Sequence, residues 1–131
     1  MKKAAFRQKS AKDPLLVCKS ALEDMKARDV KVVSLEKRKT YTDNLIIATG
    51  TSNTHVQAIA DRVAEYLIKS GHIIDGIEGS PNNQWVIVDA GDVVVHIFNE
   101  ETRKLYNIEK LYIDFDDDGD DTPDMHHSFA G

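Results

Sequence analysis

The sequence predicts an α/β (α+β) fold, a small mixed β-sheet of about five strands flanked by helices. Apolar residues recur at helical spacing in some stretches, whereas other stretches are short and rich in β-branched residues. In chain order the elements are α, β, β, α, β, β, β, α, a pattern typical of helices packed on a mixed sheet. The length of 131 residues gives room for one modest core and no second domain.

The first helix is predicted to begin where Asp13 precedes Pro14, because aspartate accepts hydrogen bonds at an N-cap and proline suits the first helical position. One face of this helix carries the apolar residues Leu15, Cys18, Leu22 and Met25. We expect it to end near Asp29. Two strands are predicted next, at 30–35 and 44–50, and the polar segment EKRKTYTD between them suits a hairpin-like connection.

A second helix is predicted over about 53–70, with Ser52 or Asn53 as its N-cap and Gly71 as its C-terminal stop. Its apolar stripe consists of Val56, Ile59, Ala60, Val63 and Leu67. The segment HIIDGIEG after it predicts a short strand, and GSPNNQ predicts a polar turn or loop.

Two further strands and a third helix are predicted in the last third of the chain. The run WVIVDAGDVVVHIF reads as two strands that are separated at Ala90 and Gly91. Asn99 then caps the third helix, whose first turn holds Glu100 and Glu101. Carboxylates in that position favour the helix dipole.

Charge divides the chain into three predicted parts: a basic flexible arm (1–12), one folded domain (13–113) and an acidic disordered tail (114–131). All 17 basic residues precede Asp114, and seven of the 22 acidic residues lie at or after it. Residues 1–113 therefore hold 17 basic and 15 acidic side chains, a net charge of +2. Because twelve basic residues precede Thr40, we expect no nucleic-acid groove on the rest of the domain, and a basic protein as the partner in any RNA-rich machine.

Composition also predicts where the protein works. The longest apolar runs are far shorter than the roughly 20 residues of a membrane span, and the N-terminus has no apolar signal segment. The single cysteine, Cys18, cannot form an internal disulfide or a thiolate metal site by itself. We expect a cytoplasmic protein that needs no cofactor.

Two motifs would suit an enzyme. The segment GTSNTH, a strand followed by small residues at a helix start, could present backbone N–H groups to a phosphate, although an ordinary turn with an N-cap explains it better. Asp89 and Asp92 could share one Mg²⁺. Since residues three apart in a strand point to opposite faces, a turn with solvated aspartates is the favoured interpretation.

Three aromatic side chains and the tail leave alternatives open. His55 and His96 could act as general acid or base, but no nucleophile stands beside either in the sequence. His96 reads equally as a core histidine or as a displayed one, and Trp85 equally as core or interface. In the tail, Asp114, Asp116, Asp118 and Gly119 match an EF-hand loop, yet Met125 stands where a bidentate glutamate is needed. His126 and His127 add at most weak metal affinity.

Long segments resemble the ribosomal silencing factor family, also called Iojap-like. The resemblance covers roughly residues 14–113 and is strongest in IATGTSNTHVQAIAD and DAGDVVVHIF. The segment IEGSPNNQW also fits the glycine-flanked turn that the family carries before its tryptophan.

This resemblance implies a domain similar to nucleotidyltransferases without their active site. It further implies a factor that binds ribosomal protein L-fourteen on the large subunit, blocks joining of the small subunit, represses translation under nutrient limitation, and forms a homodimer when free. The implied partner-binding surface comprises Trp85, Asp92, His96, Glu100, Arg103, Tyr106 and, as a weaker member, Asp43. The alternatives are a Mg²⁺-dependent nucleotidyltransferase-like enzyme and a scaffold in large-subunit assembly.

Overall fold

The computed structural model describes residues 12–36, 42–108 and 110, and its elements follow the predicted order. The first half contains α1 (Pro14–Asp24), β1 (Arg28–Ser34), β2 (Asn44–Gly50) and α2 (Asn53–Lys69). The second half contains β3 (Gly76–Gly79), β4 (Trp85–Asp89), β5 (Val93–Asn99) and α3 (Glu100–Tyr106). The predicted acidic tail, its EF-hand-like residues and nearly all of the predicted basic arm lie outside the described residues.

Helix α1 begins as predicted but ends earlier than predicted. The Asp13 side chain accepts a hydrogen bond of 3.0 Å from the N–H of Leu15. The helix stops at Asp24, because Lys26 adopts a left-handed conformation with φ of 57° and the N–H of Ala27 turns back to the carbonyl of Leu22 at 2.9 Å. The prediction that the helix continues to about residue 29 was wrong, since a lysine carries no sequence signal for this cap.

Both predicted caps of α2 are present. Ser52 is the N-cap, and its Oγ accepts from the N–H of His55 at 3.0 Å. Gly71 follows the helix with φ of 91°, and the N–H of His72 returns to the carbonyl of Leu67 at 2.9 Å. None of the helices in the described part of the chain is long and apolar enough to cross a membrane.

The five strands form one mixed sheet in the order β1-β2-β5-β4-β3. Strands β2 and β5 run parallel, with Asn44 opposite Val93 and Gly50 opposite Asn99. The other three pairings are antiparallel. Strand β5 is therefore central, which fits its nearly continuous apolar run.

The sheet has two different faces. The first face packs against α1 and α2, and its strand residues are Ile46, Ala48, Val86, Val88, Val93, Val95 and Ile97. The second face forms a separate cluster of Val33, Leu35, Leu45, Ile47, Val94, Phe98 and Ile108, with Trp85 and Ile87 packed against it. Helix α3 follows β5 directly and contacts β5 and β2. The candidate site lies on the second face.

Gly50 is required by packing at the end of β2. A Cβ atom at this position would lie 2.8 Å from Cγ2 and 2.9 Å from the backbone nitrogen of Val56, in the first turn of α2. We expect Gly50→Ala to lower the free energy of unfolding by about 2 kcal/mol, because the helix backbone must shift. Urea unfolding measures the change. Gly76→Ala is the control, since a Cβ there meets nothing within 4 Å. Equal stabilities of the two variants would contradict this account.

Candidate functional site

The residues of the implied partner-binding surface lie at two ends of the parallel strand pair. Asp43 and Asp92 stand side by side before β2 and β5, where the N–H of Asp43 donates to the carbonyl of Asp92 at 3.0 Å. The other members lie along or beyond the opposite halves of β4 and β5, or on α3: Trp85, His96, Glu100, Arg103 and Tyr106. The seven residues of β5, about 20 Å in length, separate the two ends, and His96 lies at the middle of this strand. The structure thus brings Trp85 into contact with His96 and Tyr106, and it places Glu100 and Arg103 on the same helix as Tyr106.

Four ring-bearing side chains, Trp85, His96, Phe98 and Tyr106, form what we call the aromatic cluster. The Trp85 ring stacks on Phe98 with centroids 4.8 Å apart and also lies 4.8 Å from the tilted ring of Tyr106. His96 lies 5.9 Å from Trp85 and 6.1 Å from Phe98. Trp85 therefore sits at the centre, between a fully buried ring and one that is 57% exposed.

The polar loop before β4 fixes the backbone of Trp85. The Ser80 hydroxyl accepts hydrogen bonds from the N–H groups of Gln84, at 2.9 Å, and Trp85, at 3.2 Å. The Ser80 N–H in turn donates to the carbonyl of Trp85 at 3.0 Å. A serine that closes the loop in this way holds the tryptophan at a constant place on the sheet.

His96 is a buried, neutral histidine. It is 8% exposed, and its Nδ1 lies 3.0 Å from the indole Nε1 of Trp85. Because an indole N–H can only donate, Nδ1 must be the acceptor and the imidazole proton must be on Nε2. Burial lowers the pKa of His96 to about 4. The sequence left open whether His96 is a core histidine or one displayed at a binding face. Its burial in the structure corresponds to the core histidine.

Helix α3 is attached to the sheet through its polar side chains and presents apolar ones outward. The Asn99 side chain caps the helix by accepting from the N–H of Thr102 at 2.7 Å. The Arg103 guanidinium donates to the carbonyl of Asp29 at 2.6 Å and to the Thr49 hydroxyl at 2.7 Å. Leu105 is 76% exposed beside the half-exposed Tyr106.

The exposed charges on α3 contribute little to its attachment. Glu100 and Lys104 approach to 4.0 Å with most of both side chains in solvent, a geometry that adds little stability. Glu101 is also exposed. Two acidic side chains thus lie in the first turn of the helix whose last turn carries Leu105 and Tyr106.

The segment GTSNTH is committed to internal contacts. His55 Nδ1 accepts from the N–H of Thr51 at 2.9 Å, and its Nε2 lies 2.8 Å from the carbonyl of Met25. His55 therefore links the start of α2 to the end of α1. Glu100, Glu101 and Lys104 line the same crevice as Thr51 and Ser52, so that two carboxylates stand against one ammonium group and the net charge of the lining is negative.

The aspartate pair forms a turn. Oδ1 of Asp89 accepts from the N–H of Gly91 at 2.9 Å, and the carbonyl of Asp92 accepts from Asp43 and Asn44. Within residues 12–36, 42–108 and 110, no three histidine, cysteine or acidic side chains converge as a metal site would require.

Phe98 and Leu105 belong to or adjoin the aromatic cluster, but the predicted partner-binding surface did not include them. Phe98 lies two residues after His96, so strand alternation alone places both side chains on one face. Strand alternation therefore predicts that Phe98 shares the sheet face of His96. Leu105 lies in the third helix, and helical spacing alone could not reveal that its side chain faces solvent. The attachment of α3 through Arg103 to Asp29 and Thr49 determines that orientation.

Known proteins resemble this chain over most of its length. A family model described as "Ribosomal silencing factor during starvation" matches residues 8–129. Ribosomal silencing factor RsfS of Chromobacterium violaceum is 42% identical over 92 residues, which cover 70% of this chain and 75% of that protein. A mouse protein named "Mitochondrial assembly of ribosomal large subunit protein 1" is 35% identical over 75% of this chain and 45% of its own length.

A solved structure agrees with the fold. The crystal structure of a protein from Chromobacterium violaceum superposes with a TM-score of 0.73 at 39% sequence identity, covering 76% of this chain and 82% of that one. The mixed five-stranded sheet flanked by helices is therefore shared with an experimentally determined relative.

Proposed function

The chain belongs to the ribosomal silencing factor family, and we therefore propose that it binds ribosomal protein L-fourteen on the large ribosomal subunit and blocks joining of the small subunit. In this proposal it is a cytoplasmic, non-enzymatic factor that represses translation under nutrient limitation and is a homodimer when free. Its mechanism is steric: a bound domain occupies the face on which the small subunit would dock.

The observation that carries the proposal is the aromatic cluster with Leu105 beside it. Tryptophan, tyrosine and arginine are the usual anchors of protein interfaces, and exposed apolar groups gathered at one place favour a protein partner. Here Trp85, Tyr106 and Leu105 lie on or next to one short helix, with a buried phenylalanine as support.

Charge around this surface suits a basic partner. Glu100 and Glu101 are exposed in the same helix as Leu105 and Tyr106, and the exposed Lys104 offsets one of these two negative charges. An acidic flank beside apolar anchors steers a basic protein toward the surface and discourages phosphate backbones. This agrees with a ribosomal protein as the contact and with no direct sequence-specific binding of nucleic acid.

The enzyme alternative has less support. The backbone N–H groups of Thr51 and His55 already have acceptors, and Gly50 is explained by its contact with Val56. A nucleotide with Mg²⁺ at 100 times its Kd would stabilise the fold by about 2.7 kcal/mol, and we expect no such shift in a thermal melt.

We expect Trp85→Ala to weaken binding to the large subunit about thirtyfold, because truncating an interface anchor typically costs about 2 kcal/mol of binding free energy.

Leu105→Ala should weaken binding with unchanged stability, since that side chain is 76% exposed. Arg103→Ala should also weaken binding, because Arg103 fastens α3 to the sheet. Co-sedimentation with purified large subunits measures all three.

Ile68→Ala is the matched control, an equally apolar truncation at a side chain that is 60% exposed on α2, across the sheet from the aromatic cluster. It should sediment like the wild type. If Trp85→Ala and Leu105→Ala also bind like the wild type, the proposed surface is wrong.

Light scattering of separated subunits at rising Mg²⁺ tests the mechanism. Preloading the protein on the large subunit should suppress association, and a large subunit with an altered L-fourteen surface should restore it. Normal joining despite co-sedimentation would favour the assembly scaffold, a role that the name of the mouse relative suggests. Absence of co-sedimentation would contradict ribosome binding altogether.

A further inference from the structure

Trp85 and His96 are connected across two strands on the same sheet face. In the β4–β5 ladder, Trp85 pairs with Phe98 and Ile87 pairs with His96, so that His96 lies diagonally from Trp85. Diagonal neighbours are within reach of long side chains. The indole extends over Phe98 and places its N–H 3.0 Å from Nδ1 of His96.

We infer that His96 is a positioning residue for Trp85: its Nδ1 selects the indole orientation that the partner meets. This inference rests on the proposed function, in which Trp85 is an anchor, and it changes the role of His96 from a contact residue to a support. With 8% of its surface exposed, His96 has little area to offer a partner directly.

The need for such a support follows from where Trp85 lies. Its ring is only half-buried and lies against Phe98 and Tyr106, and these ring contacts by themselves set no direction for the indole N–H. Only an orientation that directs Nε1 inward satisfies the indole N–H without water. A buried polar group without its partner is costly, so that loss of the acceptor favours rotamers that carry the N–H to solvent. The hydrogen bond to His96 Nδ1 thus stabilises one orientation of the Trp85 indole, whereas stacking on Phe98 alone is compatible with others.

The neighbours of His96 offer no competing polar interaction along the ladder. Its cross-strand partners are Ile47 on β2 and Ile87 on β4, and Val94 and Phe98 flank it on the same face of β5. An apolar surrounding keeps the imidazole neutral, so that one of its two ring nitrogens carries no proton, and the indole donor favours the tautomer in which that nitrogen is Nδ1.

The test uses three variants of the full chain. His96→Leu removes the acceptor and keeps an apolar side chain of similar reach. His96→Gln retains an acceptor in the same region. Trp85→Phe retains a ring on Phe98 but removes the donor. Urea unfolding identifies any variant that is not folded, and the double variant Trp85→Phe/His96→Leu closes a thermodynamic cycle that isolates the pair.

The first readout is the indole N–H itself. Trp85 is the only tryptophan, so a ¹⁵N–¹H spectrum contains one indole resonance and needs no assignment. We expect slow exchange with solvent in the wild type, fast exchange in His96→Leu, and partial protection in His96→Gln. Equal exchange in the wild type and His96→Leu would overturn the inference, whatever the protein binds.

The second readout is affinity for the large subunit. We expect His96→Leu to bind about fivefold more weakly, the usual effect of one hydrogen bond, and His96→Gln to recover part of the loss. In a Trp85→Phe background, His96→Leu should add no further loss. If His96→Leu frees the indole N–H yet binds like the wild type, positioning has no functional effect and the inference fails. If the wild type itself does not bind, the proposed function fails, while the exchange experiment still decides the role of His96.

Discussion

Replacing Phe98 with alanine is expected to lower the free energy of unfolding by about 4 kcal/mol, the typical cost of deleting a buried phenylalanine ring. Phe98 is fully buried on central strand β5 and lies beneath the stacked ring of Trp85. The substitution therefore leaves a cavity and removes the support of the tryptophan. Chemical denaturation monitored by Trp85 fluorescence measures the loss.

A small domain has only about 5–15 kcal/mol of stability, so Phe98→Ala can be partly unfolded at 37 °C. Phe98→Leu supplies a graded comparison, because it preserves most of the apolar volume and should cost less than half as much. A loss below about 1 kcal/mol in Phe98→Ala would mean that the second face of the sheet collapses around the gap and that Trp85 does not depend on this ring.

Acidification from pH 7 to pH 4 is expected to cost about 3 kcal/mol of stability through His96 alone. The pKa of this side chain is about 4 in the folded protein because of burial, against an ordinary value near 6.5. Between these values only the unfolded chain takes up the proton, so that stability is complete above about pH 6.5 and falls as the pH approaches 4.

Wild type and His96→Leu should be compared by urea unfolding at several pH values in this window. Carboxylates contribute to acid sensitivity in both proteins, whereas the His96 contribution is present only in the wild type. The difference in stability between the two proteins should therefore shift in favour of His96→Leu as the pH falls. Parallel pH profiles would show that His96 is not held neutral by burial.

The elements of this fold were predictable because their signals are local. The caps at Asp13, Ser52 and Asn99 are side chains that accept backbone hydrogen bonds within three residues, and each lies where the sequence placed it. The same holds for Gly71, whose left-handed conformation follows from the lack of a Cβ atom. The end of α1 was not predictable, because Lys26 adopts a similar conformation without any such preference.

The arrangement of the site depends on contacts that local signals do not contain. The parallel pairing of β2 with β5 brings Asp43 beside Asp92, and the length of β5, about 20 Å, separates both aspartates from α3. The contact of Arg103 with Asp29 joins residues 74 positions apart. The pairing of Trp85 with His96 needs the register of β4 on β5, which alternation along either strand does not give.

The central position of β5 has a consequence for how the chain is made. Among the strands that the structure describes, β5 is the last to be synthesised, yet it joins β2 to β4 and forms the parallel ladder with β2. Until residue 99 has been added, β2 and β4 each have an unpaired edge. The apolar side chains on the two faces of the sheet also lack the β5 residues that they pack against. Strands β2 and β5 are far apart in the sequence, and pairing between such distant segments forms slowly. Meanwhile the unpaired apolar strand edges favour association between chains. Folding to the native sheet is therefore a late event in synthesis, and a chain truncated before Val93 is expected to aggregate.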